Sequence, residues 1–217
     1  MAINVKVTHW YKWVYKLVNV EDVRSSVISC GKLEKIIPLS DNDVVMPKAY
    51  TRFVYFFSNE KDDPKFMDAA DLKKSLEKTL QYYPIFGGNV IIHSDGKMEV
   101  QPSSASKVGV SFIESEANFT LKELMDLEYS KMPSGLEASS WAPIKWDDFT
   151  VLLIVKRTQL KCKSVVIGIS VHHSICDGAS TFELMTTWSK VHTNQNLVIP
   201  LMDRTSIIQH SHTTSTS

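Results

Sequence analysis

Two adjacent histidines, His172 and His173, close an apolar, β-branched run, and Asp177 with Gly178 behind it follows the second by four residues. A neutral imidazole whose ordinary pKa lies close to physiological pH can take a proton from a hydroxyl or an amine in a transition state. The nucleophile so freed would attack an activated carbonyl. Asp177 lies past the end of the strand, so strand periodicity does not fix its geometry; it can hold the loop by pairing with an arginine, or orient the ring. Gly178 removes a side chain where backbone or substrate must come close. A metal site is a second chemistry. Neighbouring residues on a strand point to opposite faces, so His172 and His173 do not readily share one ion, and His173 with Asp177 still needs a third ligand. A third reading is structural, with histidines packed at a strand end. Cys176 as a nucleophile has no distinguishing environment in the sequence.

The elements around this motif must present it. The segment Val165–Val171 reads as a buried strand, Asp177-Gly178 as a turn, and the stretch from Ala179 to about Val191 as a helix. A second strand over Phe149–Arg157, joined by a turn at Thr158–Lys163, is expected to run antiparallel to it. Tyr50–Phe57 is aromatic and β-branched and reads as a strand; shorter strands are expected at Ser26–Cys30 and Val108–Ile113. Leu72, Leu76 and Leu80 recur at four-residue spacing above a lysine-rich face, which predicts a helix capped by Asp68 or Asp71. Pro84 should stop that helix near Tyr83, and Gly87-Gly88 permits a tight reversal. Asn89–His93 and Lys97–Val100 flank Ser94-Asp95-Gly96, a hairpin pattern, with His93 a strand-end residue. A short helix is expected around Leu121–Glu128, and residues 132–148 read as irregular. Mixed strands and helices with hairpins, rather than regular βαβ units, favour an α+β fold with a mixed, largely antiparallel sheet flanked by helices.

The totals narrow the function classes. The chain has 217 residues, 43% hydrophobic and 22% charged, in the range of an ordinary globular domain. Lys+Arg and Asp+Glu both number 24, so no global positive field holds a nucleic acid or an anionic membrane. Trp10, Tyr11, Trp13 and Tyr15 alternate with lysines in a pattern that reads as a half-buried strand rather than a base-stacking platform. No apolar run approaches the roughly 20 residues of a membrane span, and the first residues lack the apolar core of a signal peptide. Cys30, Cys162 and Cys176 match no zinc or redox spacing and read as reduced thiols of a cytoplasmic protein. No phosphate loop, nucleophile elbow or dinucleotide fingerprint occurs, and no metal or permanently bound cofactor is expected. His210 and His212 lie in a polar tail, residues 206–217, that reads as flexible and solvated.

The string His172-His173-Ser174-Ile175-Cys176-Asp177-Gly178 resembles the HHxxxDG signature of the CoA-dependent acyltransferase superfamily, which includes the BAHD acyltransferases, chloramphenicol acetyltransferase and the condensation domains of peptide synthetases. Further stretches are similar to the BAHD branch: Pro38–Asp43 to its LSxxD segment, Leu72–Gly88 to its LxxSLxxxLxxYPxxGG helix and turn, and Pro200–Thr205 to its PxxDR segment. The resemblance runs from about Val27 to Thr205. It implies a chloramphenicol acetyltransferase-like layered fold over residues 1–205, with acyl-CoA as co-substrate. His173 would be the general base that deprotonates an alcohol or amine acceptor, which then attacks the thioester in one ternary complex with no acyl-enzyme. Asp177 and Gly178 would shape the loop, Asp177 through an arginine for which Arg204 is a candidate, while His172 packs into the core.

The chain departs from the family in length. Members are roughly twice as long, with two similar-sized domains and the active-site channel between them, and their second-domain DFGWG motif does not occur here. The expected partners are therefore acyl-CoA, a small-molecule acceptor, and either a missing C-terminal domain or a second chain. The alternatives are an inactive or partner-dependent half-domain and a condensation-like enzyme using carrier-bound acyl groups. Gly88-Asn89 also stands where many members have Gly-Arg.

Overall fold

The computed structural model describes residues 20–46, 49–103, 109–126 and 151–198. Two sheets organise them. The larger has five strands in the order β1 (Val20–Ser29), β6 (Gly109–Ala117), β7 (Leu153–Leu160), β8 (Val165–His172), β3 (Tyr50–Phe57). Its β6–β7 pair is parallel and the other three are antiparallel. The smaller is antiparallel, with β5 (Met98–Pro102) between β2 (Ile37–Pro38) and β4 (Gly88–Ile92).

All eight residues of β8 are buried. Flanked by β7 and β3 and covered on both faces, this strand has no solvent side to demand polar alternation, which is why it reads as a continuous apolar run. One face of the sheet carries Val155, Ile167, Ile169 and Val171 against the helices α2 (Ala69–Leu80) and α4 (Gly178–His192), which supply Leu72, Leu76, Leu80, Leu184 and Trp188. On the other face Leu160 and Val166 meet Leu124 of the short helix α3 (Leu121–Asp126). Helices thus flank a mixed sheet on both sides, the α+β layering expected from the sequence.

The helix α2 forms as its leucine spacing predicts, with Asp68 as the cap: its carboxylate accepts the Ala70 and Asp71 N–H groups at 2.8 and 3.4 Å. It ends at Leu80, three residues before the point expected from Pro84, because Tyr82 and Tyr83 already bond back three residues to Thr79 and Leu80 in a tightened turn. Gly88 is not part of a tight reversal. It opens β4 with φ −105°, and a Cβ there would lie 2.4 Å from Val100 Cγ1 and 2.8 Å from the Gln101 carbonyl oxygen, so close packing explains the glycine. The Ser94-Asp95-Gly96 hairpin is present, with Gly96 at φ +87°.

Several boundaries move. The strands β1 and β6 are longer than expected and pair from Val20 opposite Ala117 to Ser29 opposite Gly109, with a register shift between Asp22 and Arg24. The strand β7 is displaced toward the C-terminus, so Thr158–Leu160 belongs to the sheet and the turn shrinks to Lys161–Ser164. Ser40, expected in a turn, caps a further helix, α1 (Asp41–Val45), through a reciprocal capping box with Asp43. The expectations for Trp10–Tyr15, residues 132–148, Glu128, Arg204 and the 206–217 tail fall outside the described residues.

Candidate active site

The histidine pair sits where β8 leaves the sheet. The His172 N–H donates to the Leu152 carbonyl at 3.0 Å on the β7 side, and the His173 N–H donates to the Ala49 carbonyl at 2.9 Å on the β3 side. The chain then turns back on itself, the Ile175 and Cys176 N–H groups donating to the His172 carbonyl at 2.9 and 3.2 Å. Adjacent side chains take opposite faces, and the two histidines meet different surroundings. His172 is fully enclosed, its ring edge-on to Tyr50 at 5.5 Å between centroids. Burial, with the His173 charge adding to it, lowers the His172 pKa to about 4, so this ring is neutral at physiological pH. His173 is partly exposed. Its Nδ1 is buried without a hydrogen-bond partner among the described residues.

Asp177 is the N-cap of α4. Its carboxylate accepts the Ser180 N–H at 2.8 Å. That bond to the Ser180 backbone, then the Ser180 hydroxyl and the nearby His173 charge, hold its carboxyl below the ordinary range against a small opposing effect of burial. Among the described residues no hydrogen bond joins Asp177 to the imidazole and no arginine pairs with it. The Thr181 hydroxyl donates to the Asp177 carbonyl at 2.7 Å, closing the same turn. Gly178 is the first residue of α4, and a Cβ there would meet nothing within 4 Å. Among the described residues nothing crowds this position, and the space in front of it is open. Cys176 is buried and Ser174 fully so.

The helix that follows is locked to α2 by a polar cluster that hydrophobic periodicity alone does not reveal. The Trp188 indole N–H donates to Ser75 Oγ at 2.9 Å, and that hydroxyl donates to the Leu72 carbonyl at 2.9 Å. His192 Nδ1 lies 3.1 Å from the same oxygen. With the Ser75 proton committed to Leu72, the His192 contact requires the proton on Nδ1. One turn further, the Tyr83 hydroxyl donates to Thr187 Oγ1 at 3.0 Å. The signal in the sequence was a serine and a threonine, Ser75 and Thr79, on the buried side of α2 beside its leucines.

The structure therefore brings His173, Asp177 and Gly178 together at one strand-to-helix corner and sets His172 behind it. Chemically, the corner offers one accessible imidazole, a neighbouring acid committed to a helix cap, and open space at Gly178. Among the described residues no three His, Cys, Asp or Glu side chains cluster as metal ligands would, and no helix is long and apolar enough to cross a membrane.

Comparison with known proteins follows the same lines. The model of the Transferase family matches residues 19–216. The chain is 30% identical over 172 residues to shikimate O-hydroxycinnamoyltransferase of Nicotiana tabacum, covering 76% of this chain and 37% of that protein. To the hydroxycinnamoyl-CoA:5-hydroxyanthranilate N-hydroxycinnamoyltransferase of Avena sativa it is 29% identical over 176 residues, covering 75% and 37%. Its fold is similar to that of vinorine synthase, with a TM-score of 0.71 at 21% identity over 89% of this chain and 47% of the other. It is also similar to F. sporotrichioides TRI101 complexed with coenzyme A and T-2, with a TM-score of 0.57 at 16% identity over 76% and 42%. The chain spans under two-fifths of the length of these curated relatives.

Proposed function

The chain belongs to the BAHD acyltransferase family, with the chloramphenicol acetyltransferase-like fold, and from that membership we propose that it moves an acyl group from a CoA thioester to an alcohol or amine acceptor with His173 as general base. The observation that carries the reading is the contrast between the two histidines. His172 is sealed and neutral, while His173 is partly exposed with Nδ1 enclosed, which makes Nε2 the nitrogen we assign to the substrate.

The chemistry needs one proton in transit. Nε2 takes it from the acceptor hydroxyl or amine as the oxygen or nitrogen bonds to the thioester carbonyl carbon. The carbon–sulfur bond then breaks, and the imidazolium returns the proton to the departing thiolate, so no acyl-enzyme forms. Asp177 stays ionised at the helix cap and fixes the corner from which the imidazole projects. Gly178 leaves its open space to substrate. Among the relatives, names that specify hydroxycinnamoyl transfer to oxygen and to nitrogen favour an aromatic acyl donor. We assign the rest of the acyl-CoA site to a second domain or second chain, as the family's two-domain plan implies. No disulfide joins Cys30, Cys162 and Cys176, which fits action in the cytoplasm.

The test is incubation with p-coumaroyl-CoA and a panel of small alcohols and amines, reading acylated product by mass spectrometry. Acceptor-dependent product supports the proposal. Acyl transfer only from a phosphopantetheinylated carrier would support the condensation-like alternative, and no product from either donor would support an inactive or partner-dependent half.

A further inference from the structure

Tyr50 opens β3 and stands directly opposite His172 on β8. Its ring meets the imidazole edge-on, with the planes at 76°. Its hydroxyl reaches further and donates to the Val151 carbonyl at 2.5 Å. Since β8 lies between β3 and β7, a side chain rooted in β3 spans the end of β8 and is tied to the residues that lead into β7. The two ends of this bridge are the places where the histidine backbone is held. Ala49, next to Tyr50, accepts the His173 N–H, and Leu152, next to Val151, accepts the His172 N–H.

We propose that Tyr50 is a positioning residue for His173, a clasp across the end of β8 that fixes the spacing of the two carbonyls gripping the histidine pair. The proposal rests on the reading of His173 as the base. A base misplaced by about 1 Å can lose on the order of a hundredfold in rate, and His173 stands at a strand end, partly exposed. Tyr50 is buried, and its hydroxyl bond to Val151 is part-buried. Tyr50 acts through the backbone and has no part in proton transfer.

The experiment compares Tyr50→Phe with the wild-type chain by amide hydrogen exchange and by steady-state kinetics, with His173→Ala measured in parallel. Phenylalanine keeps the ring against His172 and deletes the hydroxyl that ties it to Val151. Exchange at the His172 and His173 amides should accelerate roughly five- to tenfold, the factor one such hydrogen bond is worth. Exchange in the distant β1–β6 pair, at Ile28 and Val110, should not change. The kcat should fall by a similar factor while the KM for each substrate stays within about twofold. Tyr50→Leu, which removes the ring as well, should show both effects more strongly. Unchanged exchange at His172 and His173 in Tyr50→Phe, or acceleration shared equally by β1 and β6, overturns the clasp. Local acceleration with an unchanged kcat, in an enzyme that His173→Ala disables, overturns the positioning role. If His173→Ala leaves turnover intact while the local exchange effect appears, the base assignment fails and the clasp stands.

Discussion

The Asp177 carboxylate accepts the backbone N–H of Ser180 at 2.8 Å, so the acid of the HxxxD motif is bonded to the helix that follows it and not to the imidazole that precedes it. The cap satisfies one of the donors left open at the start of α4, and it anchors the corner from which His173 projects.

Replacing that cap separates shape from charge. Asp177→Asn keeps an accepting oxygen and should leave stability within a few tenths of a kcal/mol, while Asp177→Ala should cost about 1 kcal/mol, measured by urea denaturation. The Asp177 pKa is depressed in the folded state. Its contribution is therefore fully present above the unfolded carboxyl value near 3.9 and is lost as pH falls through the folded value. The stability gap between wild type and Asp177→Asn should accordingly narrow or reverse only in acid, below about pH 4.

His172 should make the protein acid-sensitive in a higher window. Its folded pKa of about 4 lies below the ordinary imidazole value of 6.5, so between these values the unfolded chain binds the extra proton and stability falls as pH falls. The full effect is on the order of 3 kcal/mol. His172→Gln should flatten the slope between pH 6.5 and 4 in a denaturation series; an unchanged slope would show that the buried ring does not set it.

The two glycines make a matched pair. Gly88→Ala drives a methyl against Val100 and the Gln101 carbonyl and should destabilise by about 1–3 kcal/mol. Gly178→Ala adds a methyl in open space at the start of a helix, where alanine outranks glycine in propensity. Stability should hold or rise slightly, by thermal melt, while KM rises if that space belongs to substrate. An unchanged KM would return Gly178 to a purely structural role.

What could be read from the sequence follows from where its forces are local. The strand β8 announced itself because both its faces are buried, α2 because one face is, and the hairpin because Gly96 needs a positive φ. The ends of β1 and β6 were missed because segments such as Glu21–Arg24 and Glu114–Glu116 carry charge; in β6, Glu114 is supported from another element by Lys73 at 2.8 Å. The helix cap at Asp177 is legible in its place just before a helix, but pairing with an arginine and orienting the imidazole are equally compatible with an acid near a histidine. The Tyr50–Val151 bond joins residues 101 positions apart, and Ser75 meets Trp188 across 113. No local pattern encodes such contacts; the sheet and helix packing create them.

Proton transfer by His173 is the step on which the proposed function depends. Its most direct measurement is acceptor-dependent thiol release from p-coumaroyl-CoA by the wild-type chain and by His173→Ala, with folding of both checked by circular dichroism. If His173 is the base, the wild type releases thiol and the variant loses at least about a hundredfold in kcat. Equal rates for the two proteins, or no acceptor-dependent release by the wild type, would contradict it.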